Sequence, residues 1–153
     1  MTALYIFGAK YLFLISVILF GFLFLVIKRA EKRRFLILTA ISFILAYLIA
    51  KLSGLLFYDP RAFVVGGFMP LISHAADNGF PSDHALLTGP IAAVGYVFER
   101  RWGLALWLLA ILVGLSRVVV GVHHLIDILG SFVIAILAVY IVNRFLERYP
   151  RRT

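Results

Sequence analysis

A histidine and an aspartate four residues apart are the clearest candidates for chemistry in this sequence. They close the run Ser116-Arg117, then five residues, His123, then three residues and Asp127. Residues four apart on a helix share a face, so the Asp127 carboxylate can accept a hydrogen bond from one ring nitrogen of His123. That bond fixes the tautomer and leaves the other nitrogen's lone pair free to attack, as in nucleophilic catalysis. His124, three residues from Asp127, also satisfies helix geometry and is the alternative nucleophile.

A second cluster, Phe80-Pro81-Ser82-Asp83-His84, stands where a helix is predicted to begin. Ser82 and Asp83 occupy N-cap positions after the proline, and the first-turn amides of such a helix form an anion site aided by the helix dipole. The Asp83 carboxylate would oppose an anion, so its expected role is capping or ordering the site. His84 follows at once and is suited to protonate a leaving oxygen.

The composition indicates that helices in a lipid bilayer must position these clusters. The 153 residues are 63% apolar and 14% charged, whereas soluble domains average about 45–50% and about 25%. We therefore predict an all-α, polytopic membrane helix bundle with one domain over residues 1–153. The net charge of +8 has no water-soluble basic face on which to bind nucleic acid, which excludes that class of partner. The absence of cysteine excludes disulfides and Cys-ligated metals.

Five apolar stretches are long enough, or nearly so, to span about 30 Å of hydrocarbon, which needs roughly 17–25 residues. They are Tyr11–Ile27, Phe35–Phe57, His84–Phe98, Gly103–Val122 and Leu125–Phe145. The third is short, and Gly89-Pro90 within it predicts a kink. The cations of residues 28–34 follow the first stretch rather than precede it, which favours a retained helix over a cleaved signal peptide.

The charges indicate the orientation, because short cytoplasmic loops collect Lys and Arg. If residues 28–34 are cytoplasmic, then 11 of the 15 cations, including the C-terminal Arg151 and Arg152, lie inside. All four histidines and all four aspartates then lie at the outer end, with the N-terminus outside and the C-terminus inside. The long apolar connection over residues 58–83 is predicted to lie in the membrane interface. Its His74 and Asp77 are interpreted as solvated loop residues.

A third cluster, which comes first along the chain, adds cations to the same end of the bundle. Lys51, Arg61 and Arg117 would lie at membrane depth or just above it, where an unpaired charge is costly. An anion such as phosphate, bound among the three, would offset that cost. Snorkelling to the interface is the alternative for Arg117.

Together the three clusters resemble the signature of the type 2 phosphatidic acid phosphatase superfamily, which reads Lys-x6-Arg-Pro, Pro-Ser-Gly-His and Ser-Arg-x5-His-x3-Asp. The resemblance implies that His123 attacks the terminal phosphorus and forms a phosphohistidine, with Asp127 orienting its ring. It implies that His84 protonates the departing lipid phosphate and then helps to activate water. No metal or other cofactor is expected. The phosphate-binding residues it implies are Lys51, Arg61, Ser82, Asp83 and Arg117.

Two departures from the signature bear on the substrate. Nine residues separate Lys51 from Arg61, and Ala62 stands in place of the proline. Asp83 replaces the glycine, and the resulting Phe-Pro-Ser-Asp-His-Ala is similar to the bacitracin-resistance type of undecaprenyl-diphosphatase. This implies hydrolysis of undecaprenyl diphosphate at the outer or periplasmic face of a bacterial or archaeal cell membrane, which recycles the cell-wall carrier lipid. Phosphatidylglycerophosphate, phosphatidic acid and lipid A are the alternative substrates.

Two other classes of protein are weighed against this interpretation. A small transporter would distribute ionisable residues over several membrane depths, whereas here they collect at one end. A catalytically inactive lipid-binding relative would be expected to lack His123, His84 or Arg117, and the sequence keeps all three.

Overall fold

The computed structural model describes residues 2–148, and these confirm the all-α prediction. The six helices are α1 (Thr2–Val26), α2 (Lys32–Leu56), α3 (Ala62–Gly66), α4 (Asp83–Phe98), α5 (Arg100–Val119) and α6 (Leu125–Arg148). A single 3-10 turn, Arg29–Glu31, joins α1 to α2. Within residues 2–148 the extended pairing is limited to one isolated bridge, between Pro60 and Asn78.

Four helices are long and apolar enough to cross a membrane, rather than the five predicted. They are α1, α2 with its preceding turn, α5 and α6. The remaining helix, α4, has 16 residues and continues through Pro90. At a rise of 1.5 Å per residue it is about 24 Å long, which is less than the hydrocarbon thickness.

Helix α4 lies at the centre of the bundle and contacts α1, α2, α5 and α6. Its small residues make this possible, because they let neighbouring backbones approach closely. Ala85, Gly89, Ala92 and Gly95 are all buried. A Cβ added at Gly89 would lie 2.8 Å from the Cβ of Ala135 on α6, so glycine is needed for this approach.

The two ends of the bundle differ in charge as the sequence predicts. At one end Arg34 of α2 donates a 2.7 Å hydrogen bond to Asn143 of α6, and Glu147 lies 3.7 Å from the same guanidinium. The four histidines and four aspartates all lie at the opposite end, near the end of α2, the start of α4 and the α5–α6 connection. Arg151 and Arg152 fall outside the described residues, and the orientation in the membrane stays a prediction.

The connection between α2 and α4 covers the histidine-containing end. Its Leu71 N–H donates to the carbonyl of Val120 at 3.0 Å, and Ile72 is buried with Val120 and Val122. Other apolar side chains of this connection are exposed, including Met69 at 93% and Val65 at 65%. A segment anchored on one side and apolar on the other fits the predicted place in the membrane interface.

Candidate active site

His123 and Asp127 form the buried centre of the site. The Nδ1 of His123 lies 3.0 Å from Oδ2 of Asp127, and the two side chains are 3% and 0% exposed. His123 precedes α6, and Asp127 lies in the first turn of that helix. The same carboxylate oxygen accepts the backbone N–H of His124 at 2.9 Å. An Nδ1–H held in this way leaves the lone pair on Nε2, as the spacing predicts.

The guanidinium of Arg61 lies at that nitrogen. Its Nη1 is 3.1 Å from Nε2 of His123 and donates to the carbonyl of Val122 at 3.3 Å. Its Nε donates to Oδ1 of Asp77 at 2.6 Å. Arg61 is 4% exposed, so Asp77 and the Val122 carbonyl fix the plane of a buried cation beside His123.

Two further donors in this part of the molecule are buried and unpaired. Arg117 of α5 donates from Nη1 to the carbonyl of Ala9 at 3.4 Å, while its Nε has no partner among the described residues. The hydroxyl of Ser82 is in the same situation. A buried polar group without a hydrogen bond costs about 1–3 kcal/mol. Anionic oxygens are acceptors that would relieve both donors.

Ser82 and Asp83 differ in detail from the prediction. Ser82 is the N-cap residue of α4 by its backbone, but its side chain makes no capping hydrogen bond. The predicted N-cap position of Ser82 is confirmed, and its hydroxyl has no hydrogen-bond partner among the described residues. Asp83 is exposed and does not touch the buried residues around His123 through any hydrogen bond or ion pair found in residues 2–148.

His84 lies at the start of α4 and is half-buried. Its ring packs edge-on against Phe13 of α1, with the ring centroids 5.1 Å apart. The imidazole therefore has an apolar wall on the α1 side. Its place in the first turn of α4, two residues from Ser82, keeps it beside the unpaired donors.

Lys51 lies in a groove between α2 and α4 with a volume of about 400 Å³. Its Nζ lies over the ring of Tyr47, 5.4 Å from the centroid, and the side chain is exposed. Asp77, Asp83 and Leu86 also line the groove. The structure thus places Lys51 beside the buried cations rather than among them, and two carboxylates share its groove.

His74 and Asp77 lie in the loop as predicted, and the side chain of Asp77 is 59% exposed, but both residues also contact the site, which the sequence interpretation missed. Asp77 holds Arg61, and the ring of His74 lies against that of His123 with centroids 6.3 Å apart and planes at 72°. Neither residue belongs to a periodic element, so no spacing rule indicated this contact. The indication that the sequence offered was that both residues lie in the long connection at the histidine-containing end.

The pKa values of this group follow from burial and from the cations. Burial lowers the pKa of His123, its hydrogen bond to Asp127 partly opposes this, and Arg61 lowers it further. Burial and Arg61 also lower the pKa of His74. The hydrogen bond from Arg61 lowers the pKa of Asp77. His123 is therefore neutral at pH 7, which a nitrogen nucleophile requires.

One side chain fixes the backbone around the site. Asn78 uses both ends of its amide to tie the end of α2 to the segment that leads into α4. Its Oδ1 accepts the N–H groups of Asp59 and Phe80, and its Nδ2 donates to the carbonyls of Gly54 and Phe57. With all four bonds made, Asn78 orders both the Asp59–Arg61 segment and the approach to Ser82.

Asp59, His124 and Asp127 offer three ligand atoms within 4.8 Å of one another. One imidazole and two carboxylates would suit a divalent ion such as Zn²⁺ or Mn²⁺. The same groups are also paired without an ion, since Nδ1 of His124 lies 2.8 Å from Oδ2 of Asp59. Nδ1 of each candidate nucleophile is thus held by a carboxylate. The two rings differ in their surroundings, because His123 is 3% exposed with Arg61 at its Nε2, whereas the side chain of His124 is 35% exposed.

The profile of the PAP2 superfamily matches residues 35–151. Undecaprenyl-diphosphatase BcrC of Bacillus subtilis (strain 168) is 36% identical over 136 residues, which are 88% of this chain and 66% of that protein. The chain spans between about half and two thirds of the length of the curated relatives that it matches.

Two solved structures share the fold. The PAP2-type phosphatidylglycerolphosphate phosphatase from Bacillus subtilis superposes with a TM-score of 0.62 at 24% identity, covering 100% of this chain and 78% of that one. Aquifex aeolicus LpxE superposes with a TM-score of 0.69 at 21% identity, covering 94% and 82%. The profile match extends over α2 to α6 and takes in every residue of the site described above, so this chain belongs to the PAP2 superfamily, as its three clusters predict.

Proposed function

We propose that this chain is a membrane lipid phosphatase that hydrolyses undecaprenyl diphosphate to undecaprenyl phosphate and phosphate through a phosphohistidine. One observation carries the proposal: Nε2 of His123, whose Nδ1 is held by Asp127, contacts the buried guanidinium of Arg61, and the buried Arg117 is close enough to act on the same ring. A nucleophile surrounded by donors suits an anionic electrophile, because the donors stabilise the charge that develops in the transition state.

In the first step, Nε2 of His123 forms a bond to the terminal phosphorus while the bond from that phosphorus to the bridging oxygen breaks. Arg61 turns from Nε2 to the phosphate oxygens, which also accept from Arg117 and Ser82. Asp127 stabilises the positive imidazole ring that results. His84, which takes up a proton from solvent when the anionic substrate binds, gives that proton to the bridging oxygen, which leaves with the lipid as a monophosphate.

In the second step, water attacks the phosphorus of the phosphohistidine and the nitrogen–phosphorus bond breaks. His84, now neutral, takes the proton from the water. Inorganic phosphate is released and both histidines return to their starting protonation states. Each bond change in the two steps is assigned to a side chain of this chain.

A lipid substrate is supported by the surroundings of the site. The groove between α2 and α4 is lined by apolar side chains, among them Tyr47, Leu55 and Leu86, and by the cation of Lys51. These apolar residues offer a place for an isoprenoid chain close to Asp77, which holds Arg61. The distribution of Lys and Arg favours an outward-facing site, with residues 28–34 inside.

The diphosphate is favoured by the Ser82-Asp83-His84 sequence and by the relative named undecaprenyl-diphosphatase. A second candidate is phosphatidylglycerophosphate, because one of the two structures with this fold is named for it. Phosphatidic acid and lipid A stay as further alternatives, since the apolar groove accepts any of these lipid chains.

The test is phosphate release by the protein in detergent from undecaprenyl diphosphate, phosphatidylglycerophosphate and phosphatidic acid. The wild type is compared with His123→Ala and His124→Ala. We expect the fastest turnover on the diphosphate, its abolition in His123→Ala and its retention in His124→Ala. With substrate radiolabelled in the terminal phosphate, an acid-labile label should appear on the wild-type protein and not on His123→Ala. Full activity of His123→Ala would refute the mechanism. Faster turnover of a glycerolipid than of undecaprenyl diphosphate would keep the mechanism and change the proposed substrate.

A further inference from the structure

We propose that His74 contacts the inner, lipid-linked phosphate of a diphosphate substrate and thereby gives the site a preference for diphosphates over monophosphates. This inference rests on the proposed function, whose mechanism assigns no role to His74. It concerns the part of the substrate that lies beyond the phosphorus attacked by His123.

The first argument is position. The ring of His74 lies against the ring of the proposed nucleophile, at 6.3 Å between centroids. His74 is half-buried, whereas His123, Arg61 and Arg117 are each no more than 4% exposed. His74 therefore lies on the solvent side of the buried group and borders the way into it.

The second argument is the direction of the reaction. The terminal phosphorus must come within about 3–3.5 Å of the attacking nitrogen. Phosphoryl transfer places the attacking and leaving atoms roughly in line, so the bridging oxygen and the inner phosphate lie on the side away from His123. His84, which the proposed mechanism places at the bridging oxygen, is close enough to His74 for the charges of the two rings to interact, so His74 lies near the leaving side. Arg61, Arg117 and Ser82 are used by the terminal phosphate.

The third argument is that His74 has a free nitrogen and no structural bond to keep. Its Nδ1 contacts only the carbonyl of the next residue, Ala75, at 3.4 Å. Its Nε2 has no hydrogen bond with any residue in the described range. The loop is anchored instead by the buried Ile72 and by the Leu71 N–H on Val120. The position of the loop thus does not depend on the imidazole.

The charges around His74 make it responsive to a bound anion. Arg61 before α3 and Arg117 of α5 disfavour its protonation, and Asp77 in its own loop favours it. His84 of α4 and His123 before α6 complete the titratable groups that face it. A bound diphosphate would neutralise the two arginines, so His74 would take up a proton and donate a charge-assisted hydrogen bond to the inner phosphate.

The test uses two substrates that share one lipid chain, farnesyl diphosphate and farnesyl monophosphate, in detergent. The wild type is compared with His74→Ala, His74→Gln and Ser73→Ala, an exposed neighbour in the same loop. We expect His74→Ala to lower kcat/KM for the diphosphate about tenfold or more, the effect of one charge-assisted hydrogen bond. The kcat/KM for the monophosphate should change less than about twofold, because that substrate has no inner phosphate for His74 to contact. His74→Gln, which keeps a donor, should recover part of the loss, and Ser73→Ala should match the wild type.

A second measurement does not require turnover. Calorimetric titration with inorganic pyrophosphate, in two buffers of different ionisation enthalpy, should show proton uptake by the wild type and less uptake by His74→Ala. Equal losses on both farnesyl substrates, or no loss, would overturn the inference. A wild type inactive on both farnesyl substrates and on undecaprenyl diphosphate would refute the proposed function instead. In that case the pyrophosphate titration still tests the role of His74. Proton uptake as large in His74→Ala as in the wild type would contradict the inference, and reduced uptake would support it.

Discussion

Nη1 of Arg61 lies 3.1 Å from Nε2 of His123, so the nitrogen proposed to attack phosphorus accepts a hydrogen bond from a buried guanidinium. The lone pair that makes this bond is the one needed for attack. A phosphate dianion is a stronger acceptor for a guanidinium than a neutral imidazole is. When the substrate binds, the guanidinium therefore turns from the nitrogen of His123 to a phosphate oxygen. The same movement frees that nitrogen to attack. Asp77 keeps the guanidinium within reach of both.

This relationship predicts that Arg61→Lys lowers kcat/KM by about 10²–10³, the usual loss for one donor that stabilises developing charge. Lysine keeps the charge but cannot hold Asp77 and the phosphate at once, because its ammonium lacks the planar fork of donors. The control is Arg34→Lys at the opposite end of the bundle, where the guanidinium bonds to Asn143. We expect the control to keep wild-type rates of phosphate release. A value for Arg61→Lys within about threefold of the wild type would contradict a role for the fork of donors.

A second prediction concerns the close approach of the 78–80 segment to α6. A Cβ added at Gly79 would lie 3.0 Å from Oδ2 of Asp127 and 3.2 Å from the carbonyl oxygen of Asp59. Gly79→Ala should therefore cost about 1–3 kcal/mol of stability by overpacking. It should also lower activity, since it displaces the carboxylate that holds His123.

Thermal unfolding in detergent measures this effect, and Gly21→Ala is the matched control. Nothing lies within 4 Å of a Cβ built at Gly21 in the middle of α1, where alanine should be neutral or stabilising by about 0.5–1 kcal/mol. Equal melting temperatures for Gly79→Ala and Gly21→Ala would show that the approach to Asp127 is not tight.

The sequence predicts those parts of the site that rest on local geometry. The short spacing gives the contact between His123 and Asp127, although His123 lies just before α6 and not on it as the helix rule assumes. Charge patterning gives the sorting of residues between the two ends. The pair Arg61–Asp77 spans 16 residues of irregular loop, where no period constrains which side chains meet. Ser82 takes the predicted N-cap position, but its hydroxyl makes no capping hydrogen bond and is unpaired among residues 2–148, which residue type alone does not indicate. Helix α4 was predicted as a span because apolarity alone does not distinguish lipid contact from burial among other helices.

The lowered pKa of His123 predicts how its protonation follows pH. Burial disfavours the charged ring, so the group binds a proton only below its ordinary pKa of 6.5 and is neutral above it. Nitrogen-15 NMR of labelled imidazoles can follow this, because the chain has four histidines and His123→Asn assigns the signal. We expect a midpoint below pH 6.5, and a still lower one in Asp127→Asn, which loses a contact that raises the pKa. A midpoint at or above pH 6.5 would mean that His123 is not desolvated as described.

The proposed chemistry also predicts that phosphate release persists after prolonged treatment with excess chelator. The cluster of Asp59, His124 and Asp127 makes this a real test, since its ligand atoms lie within 4.8 Å of one another. Asp59→Asn should keep turnover within a few-fold of the wild type, because a pairing partner of His124 is lost but the contact between His123 and Asp127 is not. Loss of activity with chelator, restored by a divalent ion in the wild type and not in Asp59→Asn, would assign a metal to that cluster.

The last prediction is the orientation of the bundle, which sets the membrane face on which the lipid is hydrolysed. Ser73 is exposed in the loop at the histidine-containing end, and Ala30 is exposed in the turn between α1 and α2. The chain has no cysteine, so Ser73→Cys and Ala30→Cys each introduce a single reactive thiol without background. In intact cells a membrane-impermeant maleimide should label Ser73→Cys at once and Ala30→Cys only after permeabilisation, because the cations of residues 28–34 hold that turn in the cytoplasm. The reverse pattern would place the site on the cytoplasmic face, where it could act only on lipid phosphates of the inner leaflet.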